Sequence, residues 1–210
     1  MKGAREKIIQ IAAQSFAQNG YDGTSTREIT AKAGVNLSSI SYYFGGKEGL
    51  FKAVIEECFK PILTFIDTME GNPSGIACLK GYLNFAYAYI HNQTYGRFVL
   101  WLLSAPHSFR AFVVANYMSR VFSFLKGCMQ KGKDCGELRA DLDIESACLM
   151  FVGMINFYIL NQDNIQMLLH PQLAATKPAA RKSAHKKDAK EVAYFEYMIE
   201  IFLQGAGTNR

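Results

Sequence analysis

Residues 25–50 read STREITAKAGVNLSSISYYFGGKEGL, and their pattern decides the fold. Ser25-Thr26-Arg27-Glu28 sets a hydroxyl three residues ahead of a carboxylate, the capping-box pattern that opens a helix. Ile29 and Ala33 then share one face, and Gly34 supplies a residue that tolerates left-handed backbone where the helix must stop. Val35 plugs the turn. Asn36-Leu37-Ser38 restarts the chain with cap-capable side chains, and Ile40 and Phe44 repeat the inward spacing of four. The outward residues of this second helix are Ser38, Ser39, Ser41, Tyr42 and Tyr43, all hydroxyl-bearing and none charged. Two readings are open from the pattern alone. One is a helical hairpin inside an all-α core. The other is a helix-turn-helix whose second helix enters a DNA groove, where hydroxyls meet base edges and phosphates.

Working outward, the spacing predicts helices throughout. Ile8, Ala12 and Phe16 align at intervals of four in a first helix over about 4–18, stopped by Asn19-Gly20. Gly45-Gly46 breaks the hairpin's second helix, and Lys47-Glu48 opens a long one with Leu50, Phe51, Val54, Ile55, Cys58 and Phe59 inward. Pro61 lies inside that pattern and predicts a kink or a short break. Further helices are predicted over 76–92, 98–103 and 108–130, with a turn at 132–136. Asp141 or Asp143 then caps a helix of Ile144, Ala147, Cys148, Phe151 and Ile155 that is apolar on most sides. A last helix over about 190–203 carries Val192, Phe195, Ile199 and Phe202. The fold class is all-α: a three-helix unit over 1–46 on a larger helical domain over 47–210. Residues of about 171–189, rich in Ala, Lys and Pro, predict a mobile basic insertion within it.

Half of the 210 residues are hydrophobic, ample for a sizeable core. The net charge of +5 permits nucleic-acid binding, but much of it sits in Lys177, Arg181, Lys182, Lys186, Lys187 and Lys190 rather than in the opening stretch. That run either touches phosphates or is a solvated loop. No segment predicts a secretory signal or a membrane span, so a cytoplasmic protein is expected. The five cysteines form no C-x-x-C and no metal-type cluster, which predicts buried reduced thiols and no metal or cofactor; Cys128 and Cys135 flank 131–134 as the alternative redox pair. Histidines at 91, 107, 170 and 185 are scattered, and G-x-S-x-G, H-E-x-x-H, Walker and dinucleotide motifs are absent, which argues against an enzyme.

The residues from about 5 to 51 resemble the DNA-binding domain of TetR-type transcriptional regulators. The likeness is carried by the Ile/Ala/Phe first helix, Asn19-Gly20-Tyr21, Thr24 to Ile29, Ala33-Gly34-Val35, Tyr42-Tyr43-Phe44 and Lys47-Glu48-x-Leu50-Phe51. Gly136-Glu137-Leu138-Arg139-Ala140-Asp141-Leu142-Asp143 is similar to the C-terminal domain of one subgroup, which includes a regulator of antibiotic sensitivity in enteric bacteria. The resemblance implies that Thr26 contacts a phosphate with Arg27 toward a base. It implies Leu37, Ser38 and Ser41 at base edges, Ser39 toward the backbone, and Tyr42, Tyr43 and Lys47 on phosphates. Ser41 stands where the family often has tyrosine and Tyr43 where it often has histidine; the first departure bears on operator sequence, the second on a phosphate contact.

The resemblance also implies a homodimer through the helices at about 143–160 and 190–204, acting on a palindromic double-stranded DNA operator. The alternative is that both helices complete a monomeric core. Tyr82, Phe85, Tyr89, Trp101, Phe112, Met150 and Met154 are candidate contacts for a small apolar or aromatic effector, with His91, His107 and Arg110 as polar candidates. The function expected is a repressor released by that ligand. The alternative is a DNA-binding regulator governed by thiol oxidation or by a protein partner.

Overall fold

The computed structural model describes residues 3–90, 98, 102, 105, 107–169 and 189–207. The described residues form α1 (Ala4–Asn19), α2 (Thr26–Ala33), α3 (Ser38–Phe44), α4 (Lys47–Met69) and α5 (Gly75–Ile90). Then come α6 (His107–Val113), a π-helical turn (Val114–Met118), α7 (Ser119–Asp134), α8 (Ile144–Leu160), α9 (Gln162–Leu169) and α10 (Ala189–Ala206). The all-α expectation holds: among these residues the only β feature is an isolated antiparallel bridge, Leu138 to Gly207. The basic segment predicted as an insertion lies, up to 188, outside the described residues, as do His91 and Trp101. The chain divides into two compact units, Met1–Glu70 with Asn84–Ser123, and Gly71–Leu83 with Phe124–Arg210.

In the first unit, the i, i+4 stripe of α1 is buried as its spacing predicts: Ile8, Ala12 and Phe16 pack with Ile29 and Ala33 of α2, Ile40 of α3, and Leu50, Phe51, Val54 and Ile55 of α4. Phe98, Leu102, Ala105 and Val113 join the same core. Thr24 anchors the α1–α2 loop, its buried hydroxyl 2.6 Å from the Gly20 carbonyl and 3.1 Å from that of Ser15. Gly34 adopts φ 68, and its N–H bonds to the Ala31 carbonyl while that of Val35 bonds to Thr30, the reciprocal pair of a Schellman stop.

Three details depart from the sequence reading. Ser25 is the N-cap of α2 by position, yet its side chain makes no cap hydrogen bond, and the N-cap of α3 is Leu37, again without one. Neither start needs a side-chain cap where water can reach the first N–H groups. Pro61 does not break α4, which runs unbroken for 23 residues. A proline crowds the carbonyls of the preceding turn, and one of them, that of Cys58, accepts a hydrogen bond from the Tyr89 hydroxyl. Finally, the helix expected over 108–130 carries a π-helical turn and then continues through Asp134, so the turn expected from 132 begins later. Within the π turn Asn116 Nδ2 donates to the Phe112 carbonyl at 2.8 Å, and Tyr117 lies flat on Phe59 with centroids 4.7 Å apart.

In the second unit the start of α5 crosses the end of α7 with almost no room. A Cβ on Gly75 would fall 2.1 Å from the Cys128 carbonyl oxygen and 2.5 Å from the Gly132 nitrogen. A Cβ on Gly132 would fall 2.8 Å from Leu138 Cδ1. Glu137, placed by this approach, caps α5 from 61 residues away: Ile76 N–H donates to its Oε2 at 3.1 Å. The Ser74 hydroxyl donates to Oε1 at 2.6 Å and accepts from the Ala77 N–H at 3.1 Å. Asp143 caps α8, accepting from the Glu145 N–H at 3.1 Å. Phe151 of α8 meets Phe202 of α10, centroids 5.2 Å apart.

Gly75→Ala should destabilise the protein by about 1–3 kcal/mol through overpacking against backbone, while Gly71→Ala, in open space, serves as the neutral control in urea unfolding. Glu137 gives a second test. The Ser74 hydroxyl, with the Ile76 and Gly75 N–H groups behind it, holds its carboxyl below the ordinary glutamate value. A lowered folded value means the contribution is present above the ordinary value of 4.5 and is lost as pH falls through the folded one. Wild type should therefore be more stable than Glu137→Gln near neutrality, and the difference in thermal midpoint should shrink on acidification below pH 4.5.

Candidate nucleic-acid interface

The backbone of α3 is fenced by residues that release it on both sides. Gly34 stops α2 before it, and Gly45 (φ 71) with Gly46 (φ 132) ends it abruptly, leaving Lys47 to open α4 directly. Gly46 is beyond what a Cβ-bearing residue readily adopts. Ile40 is buried and Phe44 half-buried, which fixes the rotation of the helix on the core. The opposite face is left outward: Ser38 and Ser41 are exposed, Tyr42 is 82% exposed and Tyr43 41%, with Ser39 half-buried at the side. Tyr42 and Tyr43 meet edge to face, centroids 4.9 Å apart. Leu37, just ahead of the helix, is 46% exposed.

The flanking groups of the sequence reading lie on the neighbouring helices α2 and α4. Arg27 is exposed in the first turn of α2, with Thr26 half-buried beside it. Lys47 is half-buried at the N-terminus of α4. Its ammonium lies over the Tyr21 ring, 4.7 Å from the centroid, and donates to the Asp22 carbonyl at 3.4 Å. Tyr21 in turn sits against Phe51 at 5.1 Å and Phe109 of α6 at 4.7 Å. Burial, with Glu48 and Asp22 nearby, raises the Tyr21 hydroxyl above its usual value, so the ring beneath Lys47 stays neutral. Arg5 of α1 lies over the Phe44 ring, 5.5 Å from its centroid. Sequence reasoning took Phe44 as a packing residue and Tyr21 only as part of the family likeness, and missed that each also carries a cation. The signal was the presence of Arg5 and Lys47 at the starts of their helices, but only the fold brings them to those rings.

The candidate effector contacts are divided between the two units. Phe85, Tyr89 and Phe112 belong to the first unit, and Tyr82, Met150 and Met154 to the second. In the first, Phe65, Phe85 and Tyr89 form a stacked ladder with centroid spacings of 4.7 and 5.7 Å, while Phe112 meets Tyr117 edge-on at 6.0 Å. Lys52 lies over the Phe112 ring and pairs with Glu48. In the second, burial pushes the Tyr82 hydroxyl up to about 12, and Met154 is half-buried. Met150 is 63% exposed on the outer face of α8, with Leu149, Phe157 and Leu160, rather than turned inward as a lining residue. On α10, Tyr197 and Ile201 are likewise exposed. Trp101 and His91 lie outside the described residues, and Arg110 is exposed.

Cys58, Cys78, Cys128 and Cys148 are buried and Cys135 is exposed. Burial raises the Cys58 thiol and pushes Cys128 to about 12 and Cys148 to about 11, so these three are held as neutral thiols. Among the described residues no group of three or more His, Cys, Asp or Glu could hold a metal, and no helix is long and apolar enough to cross a membrane.

Comparison with known proteins gives this geometry its family. One curated relative, "Probable HTH-type transcriptional regulator YttP" of Bacillus subtilis, is 36% identical over 92 residues, covering 42% of this chain and 44% of that protein. Another, "Biofilm operon icaADBC HTH-type negative transcriptional regulator IcaR" of Staphylococcus epidermidis, is 28% identical over 106 residues, covering 50% and 56%. The chain thus spans about half the length of the curated relatives it matches. Among solved structures, the transcriptional regulator FadR from Bacillus subtilis in complex with stearoyl-CoA superposes with a TM-score of 0.71 at 20% identity, covering 95% of this chain and 98% of that one, a likeness of fold. Residues 8–54 match the model of "Bacterial regulatory proteins, tetR family", and residues 81–189 that of "Tetracyclin repressor-like, C-terminal domain". With well over half of its length matched by these two models, this chain belongs to the TetR family of bacterial regulatory proteins.

Proposed function

We propose that this protein is a ligand-responsive regulator of transcription, a homodimer that represses by holding a palindromic operator and lets go when a small apolar or aromatic effector binds. The observation that carries the reading is the outward face of α3: an uncharged, hydroxyl-bearing and aromatic surface on a short helix fixed at both ends, with cationic side chains at its margins rather than on it. A helix of that kind suits the major groove, where phosphate contacts position it and short side chains meet bases. In this reading Ser38, Ser41 and Leu37 face base edges with Arg27 beside them, and Thr26, Ser39, Tyr42, Tyr43 and Lys47 take phosphates. Lys47 would leave the Asp22 carbonyl for a phosphate oxygen, and the N–H groups opening α4 would add to the same anion site.

The second copy is supported by α8 and α10. Leu149, Met150, Phe157 and Leu160 form one line of exposed apolar side chains, and Tyr197 and Ile201 add a second. Several large apolar groups along one helix are costly to leave in water, and a two-fold axis covers such a face with itself. The sign of regulation follows the relative named as a negative regulator, and the apolar character of the effector fits the aromatic ladders described above. A ligand releases DNA only if it binds the non-operator conformation more tightly. Thiol control is the weaker reading, because the raised values of Cys58, Cys128 and Cys148 keep them protonated.

Two experiments test this. On a duplex recovered by selection from random sequence, Lys47→Ala should weaken binding and lower the slope of log affinity against log salt by about 1 per protomer. Tyr42→Phe should weaken binding with the slope nearly kept; unchanged affinity and slope in both variants would remove these residues from the interface. Phe157→Glu should shift the protein from dimer to monomer in sedimentation and lower operator affinity with it, since two half-sites would no longer be held together.

A further inference from the structure

We infer that Leu37 is a specificity-determining residue that reads the 5-methyl group of a thymine in each operator half-site; this rests on the DNA-binding reading above. Helix α3, Ser38–Phe44, contains no Arg, Lys, Asn or Gln, the side chains whose paired hydrogen bonds distinguish guanine or adenine in the major groove. Its exposed serines are short, and a hydroxyl both donates and accepts, so it meets several base edges about equally well. Apart from Tyr42 and Tyr43, assigned above to phosphates, the longer hydrogen-bonding side chains stand off the helix, Asn36 in the preceding turn and Arg27 on α2. Leu37 differs from all of them. It is the residue at the N-cap of the helix, it is 46% exposed, and it presents an aliphatic group where the first helical turn would meet the groove floor.

Its exposure is not forced by the fold. The core beneath is completed by Ile29, Ala33 and Ile40, all buried, and Val35 fills the turn. An exposed leucine beside exposed serines has one apolar target on a major-groove edge, the thymine methyl. Burying that methyl against Leu37 removes apolar surface from water on both partners, and no hydrogen bond has to be matched. The operator is thereby expected to carry a T·A pair facing Leu37 at two symmetry-related positions.

The test uses the full-length protein and the selected duplex. Thymines are replaced by deoxyuridine, which removes only the methyl, one symmetric pair at a time, and each duplex is titrated with wild type, Leu37→Ala and Leu37→Met. For wild type, one pair should cost about fourfold per methyl, about sixteenfold for both half-sites. Leu37→Ala should bind the parent duplex more weakly and lose nothing more at that pair, whereas Leu37→Met, which keeps an apolar side chain, should retain the sensitivity. The inference is overturned if no thymine pair responds, or if Leu37→Ala responds as wild type does. A selection that enriches no sequence would overturn it together with the DNA-binding reading, which separates the two failures.

Discussion

The packing around Phe51 is the contact on which the rest of the first unit depends. Its ring meets Phe16 at 5.0 Å, Tyr21 at 5.1 Å, Phe98 at 5.5 Å and Phe109 at 4.4 Å, so α1, the α1–α2 loop, α4 and α6 are tied at one point. Rings at these separations gain from both burial and their edge-to-face geometry, and their positions cannot shift independently. Lys47 lies one helical turn before Phe51 on α4, with its ammonium over Tyr21, itself a member of the cluster. The placement of that cation is therefore decided by the same contacts that close the core. A displacement of α6 would be felt at Phe109, then at Tyr21, before it reached Lys47.

The second unit rests on a constraint of another kind, the absence of side chains. Gly75 and Gly132 let two helices approach until their backbones touch, and that approach brings Glu137 to the N-terminus of α5. The first donors of a helix have no partner within it, and here the carboxylate that accepts from the Ile76 N–H comes from a different part of the chain. The same turn passes to the end of α10, where Arg139 N–H donates to the Ala206 carbonyl at 2.9 Å. One short loop thus fastens α5, α7 and α10.

These two cases show what the sequence made legible. The helices were readable because their apolar residues recur at intervals of three and four, and Ile8, Ile29, Ile40, Leu50 and Phe51 are buried as the spacing requires. Gly34 was readable because a helix stop of its kind needs positive φ. The outward face of α3 followed from the same periodicity. What spacing could not show is contact between distant residues. Glu137 stood in a segment notable only for resemblance, and no local signal ties it to Ser74. The capping box at Ser25 looked sufficient, and the side-chain bond is not made, because solvent can serve the same N–H groups. The π-helical turn was invisible for a similar reason: its Tyr117 stacks on Phe59, a residue far away in sequence. Met150 read as a lining residue on an all-round apolar helix, and only packing tells which side of such a helix is covered.

That last point bears on how charge and apolar surface are divided over the molecule. A surface that must bind phosphates in many sequences alike needs dense positive charge. Helix α3, the centre of the candidate interface, carries no cation, and two cations of the neighbouring helices rest on aromatic rings: Arg5 on Phe44 and Lys47 on Tyr21. Held over a ring, a long side chain loses less freedom on meeting a phosphate than one waving in water, because part of that ordering has already been met by folding. In the proposed reading, such pre-ordering lets the margins position α3 while its uncharged face does the discriminating. The uncharged face of α3, bounded by glycines and seated through Ile40, is built in the same way.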